Sequence, residues 1–369
     1  MRNQETHMKR IAEVFIISLL VCGQLAGIAI NAAESDASGY LNDPFTRPGI
    51  ITPYTLPEAW PIYLDRNPHN LSPENTNTRL VVLGTGMPLP NPYRSGPAFA
   101  VVANNYPYLV DAGEGIWRAL AKAVLIHGDA INRALAPEKL KYLFVTHLHE
   151  DHTVGIPSLI LNPFKLNIPA PKAIYGPEGI DEMVEHILAA WKIDIAAELS
   201  DGYDPIGAQA TGHNIDVEQQ GVVYKDDNVT VEAFRTIHGP LEDTFAYRFT
   251  TEDRIITFTG DGGPYHENIV KAAMNADLLV AEAVTEKNIG YAPWGGETVE
   301  EKKKEIFRYH FSPAVLARIA NEAKVKTIVL THEQNYVDPD KFERSGLKDE
   351  IVEAGFEGTI YSSMDGDVY

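Results

Sequence analysis

The sequence is short of cysteine and of positive charge, and each shortage removes a class of function. A single cysteine, Cys22, occurs in 369 residues, so no intrachain disulfide can form and no cysteine-rich metal site can be built. Basic residues number 31 against 51 acidic ones, a formal net charge of -20. A field of that sign repels phosphate backbones and anionic lipid, which makes nucleic acid a disfavoured partner. Low-complexity tracts and sequence repeats are lacking too. What is present is apolar content, 44% of the chain, enough over this length for a well-buried core.

One long apolar run stands out, Ile11 to Ile30, preceded by Lys9 and Arg10 and followed by the small residues around Asn31 to Ala33. That order of charged, apolar and small segments is the layout of a secretory leader cut after Ala33. Residues 1–33 are therefore expected to be a signal peptide and the protein periplasmic or secreted, with no stable membrane span once the leader is gone. Cys22 would leave with it. A lipoprotein would need a small residue before its acylated cysteine, and Val21 is a poor one. Residues 34–78, rich in Pro, Asn, Asp and Ser, read as an N-terminal arm. From Arg79 to Tyr369 short β-branched runs alternate with helical patterns, and a strand-rich stretch is met twice. The expectation is an α/β domain over 79–369 with two sheets face to face and helices outside.

The densest chemistry lies in "FVTHLHEDHTVG", Phe144 to Gly155. His147 and His149 alternate in an extended segment, so they point the same way and can grip one ion. Asp151 and His152 follow as the chain turns into a helical pattern, which aims them at a second point. Three further strand-like runs end at ligand-type residues: "VEAFRTI" at His238, "RIITFTG" at Asp261 and "KTIVLT" at His332. Residues on several strand ends share one rim of an α/β sheet. Buried without a cation, such a set would carry a large desolvation cost. One ion needs only part of it, so the surplus argues for two ions, about 3.5–4 Å apart. Asp261, followed by Gly262 and Gly263, is the candidate to touch both.

The pattern "HLHEDH" behind an apolar strand resembles the signature of the metallo-β-lactamase superfamily. "LGTGMPLPNPYRSGPAFAV", "LVDAGEG", "HGPLEDTFAYRF", "FTGDGG" and "HFSPAVLARIANEAKVKTIVLTH" are similar, in this order, to the ribonuclease Z and arylsulfatase-like branch. The resemblance covers nearly everything from Arg79 onward. It implies a four-layer αβ/βα sandwich with a dinuclear site, usually two zinc ions, although His and Asp donors also accept iron or manganese. By matching positions, His147, His149 and His238 would hold the first ion, Asp151, His152 and His332 the second, and Asp261 both. Asp111 would orient a ligand from outside the set. His310 matches a histidine that assists the leaving group, and Glu282 the carboxylate that orients it. Ser312 and Pro313 just after His310 look like a helix start.

The resemblance departs at one place. The nuclease members carry a basic arm between the hexapeptide and the next histidine, whereas this interval contains the acidic "WKIDIAAELSDGYDP". Together with the leader and the net charge, this points the expectation to an exported hydrolase of a small ester, an aryl sulfate or phosphodiester. Metal-activated water would attack, with Asp151, His310 and Glu282 as the catalytic set. Lactone or β-lactam hydrolysis is the alternative, with tRNA 3′ processing and di-iron redox chemistry behind it. The expected partner is a small-molecule ester, with a homodimer left open. Trp191, Trp294 and Tyr291 are candidates to grip an aromatic leaving group. The segment Thr285 to His310 reads as a rim over the site, its "EEKKKE" run a solvated helix face.

Overall fold

Three apolar layers follow from strands that bury both faces. In the computed structural model the residues described are Asn70, 76–89, 91–338, 341 and 343–369. They belong to one compact unit, Leu56–Tyr369. The expected leader, the apolar run within it and nearly all of the expected arm lie outside the described residues. Among those described, no helix is long and apolar enough to cross a membrane.

The first sheet has six strands in sequential order: β1 (Thr78–Gly84), β2 (Ala98–Ala103), β3 (Tyr106–Val110), β4 (Tyr142–Phe144), β5 (Lys172–Gly176) and β6 (Ala210–Asn214). Pairing is antiparallel through β1–β2–β3 and parallel from β3 to β6. The parallel half needs crossovers. These are supplied by α1 (Ile116–His127) and α2 (Asp129–Ala134), then α3 (Glu150–Thr153) and α4 (Ile156–Lys165), then α5 (Ile180–Ala190) and α6 (Lys192–Ser200). The second sheet begins with β7 (Gln220–Lys225), β8 (Thr230–Arg235), β9 (Phe245–Thr250) and β10 (Ile255–Phe258). After α7 (Glu267–Ala273) come β11 (Leu278–Ala281), α8 (Val299–Ile306), α9 (Pro313–Glu322) and β12 (Thr327–Leu330). A two-stranded ribbon of β13 (Val337–Asp338) and β14 (Glu343–Arg344), then α10 (Leu347–Glu353) and β15 (Thr359–Ser362), complete the chain. The spatial order of the second sheet is β15-β12-β11-β10-β9-β8-β7.

Period-two alternation builds the layers. On β1, Leu80 and Val82 enter the core between the sheets with Phe144, Phe249 and Phe258, while Val81 and Leu83 pack under the helices of the first sheet. Val329 of β12 likewise faces the inner core, and its neighbours Ile328 and Leu330 face α9 and α10. A one-residue slip in either strand would exchange these environments. Each large apolar side chain is worth roughly 1.5–3 kcal/mol of burial, so an aspartate at Val101, fully buried in the inner core, would be severely destabilising. The result is the expected αβ/βα sandwich.

Helix ends follow local chemistry. Ser312 caps α9 through its side chain, which accepts the Val315 N–H at 3.3 Å, and Pro313 starts the helix. Thr298 and Glu301 form a reciprocal capping box on α8. Beside the free edge of β1 the C-terminal tail runs back along the sheet, with Leu80 and Tyr369 exchanging backbone bonds at 2.9 Å. The tail thus covers an edge that would otherwise be open to pairing.

Candidate metal centre

The carboxyl ends of β3, β4, β10 and β12 open on one rim, and the sequence-predicted residues gather there. His147, His238, Asp261 and His332 sit on loops two or three positions past the strand ends rather than on the strands. Asp111 follows β3 with a left-handed φ of 53°. Its Oδ1 accepts the Thr146 N–H at 2.8 Å, and its Oδ2 accepts His152 Nδ1–H at 2.8 Å. Thr146 was not singled out from the sequence, yet it ties Asp111 to the start of the hexapeptide. Its hydroxyl also donates to Asp111 and lies 3.0 Å from His147 Nδ1. His149 stands before α3 in extended conformation, and that short helix carries Asp151 and His152.

Three ring nitrogens converge first. His149 Nδ1 lies 3.1 Å from His147 Nε2 and 3.2 Å from His238 Nε2. The far nitrogen of His238 donates to the Tyr309 carbonyl at 2.7 Å, so its inner nitrogen carries a lone pair. Burial holds His147 well below the ordinary imidazole range and His238 down to about 4. Neutral rings with lone pairs turned on one another repel unless a cation sits among them. That is the donor chemistry of a metal site.

The second group is built from both charge signs. His332 Nε2 lies 3.1 Å from Asp151 Oδ2 and 3.5 Å from Asp261 Oδ2, and His152 Nε2 lies 3.4 Å from Asp261 Oδ1. Burial alone would lower both histidines, but Asp261, Asp111 and Asp151 push His152 well up, and Asp261 and Asp151 push His332 up to about 9. His152 Nε2 is buried with no hydrogen-bond partner. Buried carboxylates here draw positive charge to the point they surround, which is the place a cation would take. Asp261 belongs to groupings with His147 and His152 on one side and His332 on the other, so it stands between the two clusters. Its loop is tight: a Cβ on Gly262 would come within 1.9 Å of the Phe311 ring.

His310 and Glu282 also reach the site. Glu282 Oε1 accepts the N–H groups of Gly262 at 3.2 Å and Phe311 at 3.0 Å, and it lies 3.5 Å from His310 Nδ1. Burial and Asp261 push the Glu282 carboxyl well above its usual range, and burial lowers His310 to about 4. His310 is therefore neutral near pH 7, and its Nδ1 is 3.9 Å from Asp261.

The aromatics do not all assemble as expected. Trp191 lines a separate groove of about 280 Å3 with Pro157, Leu161 and Lys165, against the outer helices. Trp294 packs edge-on against the buried Tyr336 at 6.1 Å. Neither ring pairs with a histidine of the cluster among the described contacts. The "EEKKKE" helix α8 lies at the surface as expected, with Lys303 paired to Glu286 at 3.0 Å.

A family model described as beta-lactamase superfamily domain matches residues 106–332. The ribonuclease Z of Mycobacterium bovis strain BCG Pasteur is 30% identical over 270 residues, covering 72% of this chain and 89% of that protein. The ribonuclease Z of Mycobacterium tuberculosis strain H37Rv is 32% identical over 267 residues, with the same coverage of both chains. The crystal structure of the short form of human tRNase Z superposes with a TM-score of 0.56 at 23% identity, over 79% of this chain and 98% of that one; it shows the shared fold. These relatives overturn the expectation of an aryl sulfate or other small-ester hydrolase with nucleic acid disfavoured, and the lactone or β-lactam alternative with it. The error has a physical cause. A net charge of -20 is a sum over the whole chain, whereas a substrate meets only the charges within about a Debye length of its path, some 8–10 Å at ordinary salt.

Proposed function

Because the chain belongs to the beta-lactamase superfamily, in its ribonuclease Z branch, and is a metal-dependent hydrolase, we propose that it cuts phosphodiester bonds in RNA, with 3′-extended tRNA as substrate. The observation that carries the reading is His310, backed by Glu282, held within 3.9 Å of the carboxylate that joins two clusters of metal-type donors. Hydrolysis of an RNA phosphodiester expels a sugar oxygen, a poor leaving group that needs a proton, and a histidine beside the reacting phosphorus can supply it.

In this reading His147, His149 and His238 would hold one divalent ion, Asp151, His152 and His332 would hold another, and Asp261 would serve both, zinc being the simplest occupant of such donors. Bound there, such ions would supply Lewis acidity and lower the pKa of a water between them. Thr146 and Asp111 fix the rings of His147 and His152, so those donors enter the reaction already aimed. Glu282 cannot rotate away, because two backbone N–H groups hold it; its Oε1 faces Nδ1 of His310 at 3.5 Å without a hydrogen bond between them, which leaves Nε2 for the proton transfer. The attacking water gives up a proton to neutral His310 at Nε2 as its oxygen bonds to phosphorus, the bond from phosphorus to the sugar oxygen breaks, and His310 passes that proton on to the sugar oxygen.

An open groove of about 610 Å3 supports a nucleic-acid path. It begins at Ile237, next to His238, and is lined by Arg235, Tyr265, His266 and Lys271 together with Glu218, Glu242 and Glu267. Charge there is close to balance, so the repulsion of the whole chain is weak along it. The test is incubation of the metal-loaded protein with a tRNA precursor bearing a 3′ trailer. One discrete cut that Asp151→Ala removes is the expected outcome. Intact precursor, alongside rapid turnover of an aryl sulfate, would sink the proposal.

A further inference from the structure

The histidines of the centre differ in what holds their outer nitrogen. His147 meets Thr146, His152 donates to Asp111 and His238 to the Tyr309 carbonyl. His332 Nδ1 is buried and has no hydrogen-bond partner. Its Nε2 nevertheless points between Asp151 and Asp261. No group holds the outer nitrogen of this ring, so its aim depends on the backbone that carries it as well as on the carboxylates it faces.

That backbone is unusual. His332 sits in the left-handed region at φ 47°, uncommon for a residue with a Cβ although histidine enters it more readily than most. Its N–H donates to the Thr85 carbonyl at 3.1 Å. Thr85 is itself buried, and both its N–H, at 3.0 Å, and its hydroxyl, at 2.8 Å, donate to Asp365 Oδ1. The other oxygen of Asp365 accepts the Ser95 N–H at 2.6 Å. One buried carboxylate from the C-terminal tail therefore closes both ends of the loop after β1 and, through Thr85, holds the segment that presents His332.

We propose that Asp365 is a positioning residue for His332, acting through the Thr85 carbonyl, so that the tail sets the geometry of one half of the metal centre. The inference rests on the reading of His332 as a metal ligand. It differs from a general packing role in a way that can be measured. Loss of Asp365 must weaken the ion that His332 holds and spare the ion gripped by His147, His149 and His238.

The experiment is zinc binding by chelator competition on metal-free wild type, Asp365→Asn, Thr85→Val and His332→Ala, with amide hydrogen exchange at His332 followed in the metal-free proteins. Asp365→Asn should weaken about tenfold or more the ion that His332→Ala removes, leave the other ion unchanged and speed exchange at the His332 amide. Thr85→Val, which deletes only the hydroxyl contact, should act in the same direction with a smaller effect, and it tests the relay even if Asp365→Asn folds poorly. Wild-type exchange at His332 in both variants would overturn the inference, as would equal loss of both ions. If His332→Ala binds metal like wild type, the ligand reading fails instead, and the exchange result alone then decides whether Asp365 holds the segment.

Discussion

The two halves of the metal centre are encoded in opposite ways. The first sheet contributes His147, His149, Asp151 and His152 from one loop and one short helix, four of six consecutive residues, and that density announces a cation. The second sheet contributes His238, Asp261 and His332 singly, from three loops that the parallel and antiparallel pairing of β8 to β12 brings to the same rim. A compact motif tolerates changes elsewhere because its geometry is local. A dispersed one depends on strand register and on whatever pins each loop. The first half is held by Asp111 and Thr146, and the second by the Tyr309 carbonyl for His238 and by Glu282 for the loop that carries Asp261.

The sharpest test removes one carboxylate from each half. Asp151→Ala and Asp261→Ala should each lower RNA hydrolysis at least about 10^3-fold, the order expected when several kcal/mol of charge stabilisation is lost. Steady-state cleavage assays read this out. A large effect at Asp151 with a small one at Asp261 would show that the dispersed half is dispensable.

His310→Ala comes next, with a loss of about 10^2 to 10^3-fold at unchanged metal content. The loss should be greatest for substrates with the poorest leaving groups; a uniform loss would remove the proton-donor role. Asp111→Asn should follow with a fall of about 10 to 100-fold in metal affinity, measured by chelator competition. Its effect should centre on the ion held by His152, because that ring loses its 2.8 Å partner. Equal weakening of the ion at the three-histidine cluster would mean that the two ion sites are not separable.

The smallest effect is the pH dependence of the metal-free protein. His238 and His310, lowered by burial to about 4, take up protons more readily unfolded than folded between about 4 and 6.5. Stability must then fall as the pH drops through that window, by on the order of 1 kcal/mol per pH unit for each group. His332, raised to about 9 despite burial because Asp261 and Asp151 face it, stabilises the fold below its unfolded value and loses that contribution as pH rises from 6.5 to 9. Melting curves of chelated protein should therefore peak near pH 6.5. A flat profile on the alkaline side would show that His332 is not held between the carboxylates.

Legibility tracked distance along the chain. The layers followed from strand alternation, and the hexapeptide from its own density. His238, Asp261 and His332 were readable only as residues at strand ends and by resemblance, since their meeting depends on register. Asp365 gave no signal, because its partner Thr85 lies 280 positions away. Trp191 and Trp294 misled because an aromatic in a loop reads the same whether it packs or binds. The substrate was misread because composition reports total charge and not its placement along the groove at Ile237.

The division of ligands between the sheets has a consequence for handling the protein. The lone cysteine, Cys22, leaves the sandwich without a covalent staple, and ions gripped from both sides would act as a reversible cross-link between its halves. An ion that binds only the folded chain stabilises it by about 4 kcal/mol when present at a thousand times its dissociation constant. Heat tolerance would then be a reading of free metal concentration. A chelator would act as a denaturant, and a melting temperature quoted without its metal buffer would describe the buffer as much as the protein.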